Sequence, residues 1–381
     1  MDFEYTEEQL LIQKTAREFA EEHLAPGVIE RDEKKIYPAE QIKMLADLGF
    51  MGMMVPEEWG GAGLDTISYC IAMEEISNVD ASAGVVMSVN NSLVCQLLND
   101  FASDEQKEKY LKPLASGKWL GAFSLSEPQA GSDASNLLAF ARRESDYYIL
   151  NGTKNWVTNG INSNVVIVFA LTEKDVGYRG ISSFIVEKGF DGFSTGKPEN
   201  KLGIRGSDTC EIYLDNCRVP VENRINEEGM GFKIALKTLD GGRIGIAGQA
   251  LGIARAALEH SVDYAKERKQ FGKTISSFGA IQQKIANMAT DIDAARLLIH
   301  KSAYLKDQHK PYSAEAAMAK SFASKAAMDA STECVQIFGG YGYMQEYGVE
   351  RLMRDAKITQ IYEGTTEVQE IVVARSILEK R

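Results

Sequence analysis

The chain has 381 residues, enough for two or three domains, and its 44% hydrophobic and 25% charged residues are ordinary for a globular protein. Lys and Arg total 42 against 54 Asp and Glu, a net charge of −12. A protein that binds by neutralising phosphates needs the opposite balance, which excludes nucleic acid as the partner. The longest wholly apolar stretch, Val165–Leu171, is too short for a membrane span, and Met1-Asp2-Phe3-Glu4 lacks the basic-then-apolar pattern of a signal peptide. Five scattered cysteines (Cys70, Cys95, Cys210, Cys217, Cys334) exclude a disulfide framework or a Cys-rich zinc site and imply a reducing, cytoplasmic setting, although a processed mitochondrial form has the same features. The four histidines (His23, His260, His300, His309) lie at no metal-site spacing and read as surface or packing residues.

Helical signals fill the first third. Thr6-Glu7-Glu8-Gln9 predicts a capping box, followed by Ile12, Ala16, Phe19 and Ala20 at helical spacing. After the glycine-rich loop Val55–Gly63, helical pattern resumes over Thr66–Phe101 and Asp104–Ser116. The period then changes. Tyr147–Leu150, Asn151-Gly152 and Thr153–Val157 predict strand, tight turn and strand, and Val165–Leu171, Ile181–Val186 and Glu211–Leu214 are further strands. Four long helices follow, at Phe232–Lys269, Ala280–Asp307, Ser313–Phe338 and Thr366–Lys380, which predict a bundle. The expected fold is α+β: an N-terminal α-helical domain (1–118), a middle antiparallel, barrel-like β domain (119–229) and a C-terminal four-helix bundle (230–381).

There is no G-x-x-x-x-G-K-[ST] and no G-x-G-x-x-G. Gly229-Met230-Gly231 lacks the third glycine and its βαβ context, so no P-loop or Rossmann unit is expected. Several other segments are unusually polar or rich in glycine. Phe123–Asp133 offers hydroxyls and a flexible Gly-Ser-Asp for anion or amide contacts, or else simply joins two domains. Asn155–Gly160 sets an indole and a hydroxyl at a strand end, where Trp156 by itself reads as a packed barrel residue. Arg268–Gly272 ends one long helix with charge and an aromatic, and Gln336–Tyr343 ends another with nearly bare backbone. In Ile361–Glu367, Glu363 lies between an aromatic and a glycine just before a helix, with Thr366 and Gln369 placed for a capping box. It is either a base in a dry pocket or an exposed loop carboxylate.

In order along the chain, Leu125-Ser126-Glu127-Pro128, Gly131-Ser132-Asp133, Asn151–Lys154, Trp156–Gly160, Lys201–Ser207, Gly242–Ala247, Gln336–Gly340, Met353–Lys357 and Ile361–Thr365 resemble the acyl-CoA dehydrogenase family over essentially the whole sequence, and within it the short-chain, butyryl-CoA branch. The resemblance implies FAD bound without a Rossmann unit, in a cleft completed across a dimer contact of a homotetramer built as a dimer of dimers. Phe123, Leu125, Ser126, Gly131, Ser132, Trp156, Val157 and Thr158 would line the isoalloxazine. Arg268 and Phe271, with Gln336, Ile337, Gly339 and Gly340 from a neighbouring subunit, would hold the ADP part, and Thr365 and Glu367 would complete the site. Ser132, Asp240, Arg243, Tyr362 and Gly364 match acyl-CoA contacts, and Glu363 matches the catalytic base.

The implied chemistry is removal of an α-proton by Glu363, with the thioester oxygen held by the flavin ribityl hydroxyl and the base's own N–H, and transfer of the β-hydrogen to the flavin. The product is a trans-2-enoyl-CoA, and electrons leave to an electron-transferring flavoprotein. One branch of the family carries its base at the position of Gly242, where glycine cannot serve. Glutaryl-type relatives have an arginine at the position of Gly84, so a dicarboxylate substrate is disfavoured. The residues also accommodate a branched or alicyclic acyl group, or an enoyl-CoA reductase running the same chemistry backwards. A non-catalytic flavin-binding relative would have lost Glu363 or Trp156-Val157-Thr158, and an oxidase-like relative would have a longer chain. On Glu363, burial raises the pKa and the following helix N-terminus lowers it; burial is expected to win once an acyl chain fills the pocket. Gly279 stands where the family usually has glutamine, so no role is given to the neighbouring Gln282.

Overall fold

In the computed structural model, which describes residues 4–379, helices and sheet follow in the order α, β, α. The opening helix, Glu7–Phe19, starts at the predicted capping box: Thr6 Oγ1 accepts from the Gln9 N–H at 3.2 Å, and Gln9 Oε1 accepts from the Thr6 N–H at 3.1 Å. The expected Thr66–Phe101 helix is in fact two. Asp80 leaves helical geometry and caps the next segment, accepting from the Ser82 and Ala83 N–H groups. From Ala81 the chain runs helically to Phe101 through a wider turn at Val89–Cys95, and this run is long and apolar enough to cross a membrane. It is 94% buried inside the protein, so it is a core helix.

Its middle carries polar side chains that tie the helices to the sheet. Asn90 donates to the Met51 and Leu114 carbonyls and accepts from the Gly121 N–H. Asn91 donates to Phe50 O and accepts from the Met53 N–H. Every such buried group must be satisfied, so these bonds fix the helix against both neighbours.

The sheet strands are β1 (Gly121–Ser124), β2 (Phe140–Glu144), β3 (Tyr147–Thr158), β4 (Val165–Leu171), β5 (Ile181–Glu187), β6 (Phe193–Thr195), β7 (Thr209–Pro220) and β8 (Arg224–Ile225), in the order β6-β7-β3-β2-β4-β5-β8 with β1 on β4. Most pairs are antiparallel as expected, but β1 and β2 both meet β4 in parallel. The sheet is therefore mixed: β1 and β4 are joined through the β2–β3 hairpin instead of a tight turn. β4 explains its own apolar run. Val165, Ile167 and Phe169 face the large helical core, while Val166, Val168 and Ala170 face the core of the β domain.

The predicted turn at Asn151-Gly152 does not form. β3 runs straight through, and the irregularity lies in the facing strand, where Asn216 (φ 51°) is the extra residue and its N–H donates to Asn151 Oδ1 at 2.8 Å. Gly152 is needed for a close approach, since a Cβ there would come within 2.6 Å of the Ala139 Cβ. A second bulge at Asn155-Trp156 has direct consequences for the site.

The C-terminal part has the four expected helices, Gly231–Glu267, Gly279–Asp307, Ser313–Phe338 and Thr366–Leu378. The expected end of the last at Lys380 falls outside the described residues, as do Met1–Phe3 of the opening. A fifth, shorter helix, Val349–Thr359, was not anticipated. Its buried face includes Arg351 and Asp355, an ion pair at 3.1 Å, so the apolar period that marks a helix is interrupted.

Candidate active site

Two residues in left-handed conformation, Glu363 (φ 53°) and Gly364 (φ 94°), join the last two helices. For glutamate this is an uncommon backbone state, held only where its surroundings enforce it. Three groups do so. The Thr365 hydroxyl caps the final helix, accepting from the Val368 N–H. Buried Gln369 donates through Nε2 to the Glu363 carbonyl at 3.2 Å and the Gly364 carbonyl at 2.9 Å. Lys320, from the Ser313–Phe338 helix, donates to the same Gly364 carbonyl at 2.7 Å. The Thr366–Gln369 capping box is thus replaced: Thr365 caps, and Gln369 reaches inward. Any side chain at position 364 would overlap Gln369 Nε2.

The Glu363 side chain is half-buried, with one carboxyl oxygen enclosed. Its Oε2 is buried with no hydrogen-bond partner among the described residues. Burial pushes its pKa up to about 7, against the opposing pull of Lys320 and, more weakly, Arg243. Burial thus outweighs these two cations in the chain alone. Gly242 supplies the space: a Cβ there would overlap Glu363 Oε2 and come within 2.6 Å of Leu93 Cδ2. Arg243 is buried and pairs with Asp240 at 2.6 Å, and Asp240 also accepts from Ser313 Oγ at 2.9 Å. The Tyr362 hydroxyl donates to Gln249 Oε1, and Gln249 in turn donates to the Ala81 carbonyl at 2.8 Å. Of the expected acyl-CoA contacts, Asp240, Arg243, Tyr362 and Gly364 gather around Glu363, whereas Ser132 lies on an exposed loop.

A second group forms at the ends of β1 and β3. Phe123 packs on Phe169 with ring centroids 5.1 Å apart; Leu125 and Val157 are buried, Ser126 and Thr158 half-buried, and Gly131 and Ser132 exposed. Glu127 and Lys154, both fully enclosed, pair at 2.7 Å; Lys154 also reaches Leu125 O, and Glu127 accepts from the Leu138 and Ala139 N–H groups. Together they fix both ends of the Leu125–Ala139 loop. The reading of Trp156 as a packed barrel residue is wrong. The bulge gives it φ 60° and turns its indole outward, 63% exposed. A large aromatic held out at a strained bulge is placed to cover a ligand.

The third group lies at the ends of two long helices. Arg268, Ile337, Gly339 and Gly340 line a cleft of about 440 Å³ together with Tyr264 and Tyr341. Tyr264 stacks on Phe338 at 4.0 Å, and Arg268 lies over the Tyr341 ring. Phe271 (92% exposed) and Gln336 are not among the cleft's lining residues. Thr365 is the helix cap described above, and Glu367 is exposed on the first turn it caps. A Cβ on Gly339 or Gly340 would meet nothing within 4 Å, so bare backbone faces an open slot beside a guanidinium. Arginine beside side-chain-free backbone suits close approach of a diphosphate, and the projecting indole with the unpartnered buried Ser124 Oγ and Asn155 Oδ1 suits a flat polar ring system, so the residues present fit FAD.

Lys320, Gln249, Gln369, Glu127 and Lys154 were not among the expected site residues. Lys320 had one visible signal, a single cation amid Ala316, Ala317, Ala319 and Ala323 on a helix face otherwise made of small residues. Among the described residues there is no metal-like cluster of His, Cys, Asp or Glu, and His300 packs edge-on against Tyr5 at 5.7 Å.

Two helical domains around a sheet, a glutamate with an enclosed carboxyl oxygen and a cleft whose residues fit FAD are the features of a flavin-dependent oxidoreductase. Sequence models of the acyl-CoA dehydrogenase N-terminal, middle and C-terminal domains match residues 6–118, 122–217 and 229–378. A short-chain specific acyl-CoA dehydrogenase from Clostridium acetobutylicum is 50% identical over 377 residues, covering 99% of this chain and 100% of its own. Butyryl-CoA dehydrogenase from Megasphaera elsdenii superposes with a TM-score of 0.98 at 49% identity, covering 99% and 100% of the two chains. A chain from the structure described as the electron transferring flavoprotein of Acidaminococcus fermentans, in work on flavin-based electron bifurcation, superposes with a TM-score of 0.99 at 52% identity over 100% of both. The chain belongs to the acyl-CoA dehydrogenase family.

Proposed function

We propose that the protein oxidises short straight-chain acyl-CoA thioesters to trans-2-enoyl-CoA, with Glu363 as the α-proton acceptor. The observation that carries this is the Glu363 carboxyl: buried, unpartnered at Oε2 and held near neutrality, so it is both able to accept a proton and free to do so. Bound FAD supplies the acceptor for the β-hydrogen and its electron pair. Phe123, Leu125, Ser126, Gly131, Ser132, Trp156, Val157 and Thr158 would hold the ring; Arg268 and Phe271, with Gln336, Ile337, Gly339 and Gly340 from a neighbouring subunit, would hold the ADP part; Thr365 and Glu367 would close the site.

The chain's own work is positional and electrostatic. The left-handed turn presents the Glu363 carboxylate to the α-carbon and its N–H to the thioester oxygen, where negative charge develops as the α-proton leaves. Tyr362 and Gly364 flank that position, the Asp240–Arg243 pair and Ser132 orient the CoA thioester, and Leu93 and Gly242 shape a dry wall. Gly84 packs directly on Ser77 and leaves no room for the arginine that would pair a second carboxylate, which favours a monocarboxylic acyl group.

An electron-transferring flavoprotein takes the electrons, a reading supported by the likeness to the Acidaminococcus structure. The assembly is a homotetramer, in keeping with exposed Phe271 and Tyr343 (92% and 78%) beside a cleft that the family completes across subunits. We divide the chain at 1–118, 119–229 and 230–381, and place it in the cytoplasm, where five unpaired buried thiols are at home. Anaerobic addition of butyryl-CoA should bleach the flavin, and bleaching should slow by about 10²–10⁴-fold in Glu363→Gln. Turnover of octanoyl-CoA or glutaryl-CoA equal to or better than that of butyryl-CoA would overturn the short-chain reading. Reduction of NAD at a comparable rate without the partner flavoprotein would overturn the acceptor.

A further inference from the structure

Lys320 is fully buried, and among the described residues it makes no ion pair. Lys154, equally enclosed, by contrast has the Glu127 carboxylate at 2.7 Å. An unpaired ammonium in a dry interior is costly, and a neutral side chain of similar length could fill the same space between Ala316, Ala317 and Ala323. Its one hydrogen bond goes to the carbonyl of Gly364, the residue directly after the base, in a turn with two successive left-handed residues.

The charges around it come from three elements. Glu363 and Glu367 lie on the turn and the last helix, and Arg243 on the Gly231–Glu267 helix. Arg243 already has Asp240 at 2.6 Å, and Glu367 is exposed to solvent. The tyrosines near the carboxyl, Tyr362 and Tyr69, are held neutral by burial, each far above the usual phenol range. Among the described residues, the ionised Glu363 carboxylate is therefore the enclosed counter-charge acting on Lys320, and Lys320 is foremost among the cations opposing protonation of that carboxyl.

Resting on the reading of Glu363 as the base, we propose that Lys320 is a positioning residue for the dehydrogenation: it clamps the Glu363–Gly364 turn through the Gly364 carbonyl, and its charge favours the ionised form of the base. Lys320 touches no reacting atom; it acts through Glu363. No bond to it forms or breaks, and the α-proton goes to Glu363 alone.

The test is the pH dependence of flavin bleaching by butyryl-CoA in the FAD-loaded enzyme, for wild type, Lys320→Met and Lys320→Arg. In Lys320→Met the alkaline-rising limb should move up by about one pH unit, since an opposite charge nearby is worth one to three units. Bleaching should then fall about tenfold on the acid side and recover toward the wild-type rate near pH 9. Lys320→Arg, which keeps charge and donor, should leave the limb where it is in wild type. A limb unmoved in a folded, flavin-loaded Lys320→Met overturns the proposal, because a merely structural lysine would change stability and not the profile. If Lys320→Met does not fold, Lys320→Gln carries the same test, and failure of both neutral variants to fold overturns the proposal in favour of a structural role. Wild-type bleaching with loss of activity in Glu363→Gln checks the underlying reading separately. If that reading fails, bleaching in Glu363→Gln stays near the wild-type rate whatever Lys320 does.

Discussion

Gly242 and Glu363 occupy one volume: the missing side chain of the first is the space that holds Oε2 of the second. Position 242 lies within the long Gly231–Glu267 helix, where glycine costs roughly 1 kcal/mol relative to alanine, and that cost is accepted at the point where the carboxylate inserts.

Gly242→Ala should therefore favour the helix and harm the site. A methyl group there must push the carboxylate out of its recess, and misplacement by about 1 Å can cost on the order of 10²-fold in rate. Bleaching by butyryl-CoA should slow by about that factor while FAD content and melting temperature stay near wild type. A wild-type rate would show that the carboxylate works from another position.

Glu363→Gln should stabilise the protein at alkaline pH while abolishing the base. The carboxyl has a folded pKa of about 7 against an ordinary 4.5, so the folded state binds the extra proton. Wild-type stability then falls as pH rises from about 4.5 to about 7 and stays lower above it. The glutamine variant should be more stable than wild type by on the order of 3 kcal/mol at pH 8 and nearly equal to it at pH 4. Denaturant unfolding at the two pH values measures this. The same ionisation predicts that wild-type kcat/KM rises with pH through about 7, with that limb absent in the variant.

Lys154→Met should be severely destabilising. It leaves the Glu127 carboxylate enclosed without its cation, a change worth about 3–5 kcal/mol. Because Glu127 also accepts from the Leu138 and Ala139 N–H groups, the Leu125–Ala139 loop should loosen and FAD should be lost before the chain unfolds. Thermal melts followed by flavin fluorescence and by circular dichroism should separate in the variant and coincide in wild type.

Trp156→Ala should behave in the opposite way. With the indole 63% exposed in the chain, its removal should change stability without FAD by less than about 1 kcal/mol. The loss should appear in flavin retention and in the flavin absorption band. A fall of several kcal/mol in the flavin-free protein would return Trp156 to the barrel core.

By itself the sequence determined what near neighbours decide. The Thr6–Gln9 capping box, the order α, β, α, and the placing of Glu363 just before a helix were all legible there, because caps and periodicity depend on residues a few positions apart. Local signals also misled where distant partners overruled them. Asn151-Gly152 has the composition of a tight turn, yet it is a point of close approach to Ala139, and Thr366 yields the cap to Thr365 because Gln369 is drawn inward to two carbonyls. Tertiary structure alone decided that a bulge against β7 turns Trp156 outward, that Gly242 makes room for a carboxylate 121 positions along the chain, and that Lys320 reaches the turn behind the base. The carboxyl's acidity belongs to the same class: desolvation is a property of everything packed around a group, and no local run of residues encodes it.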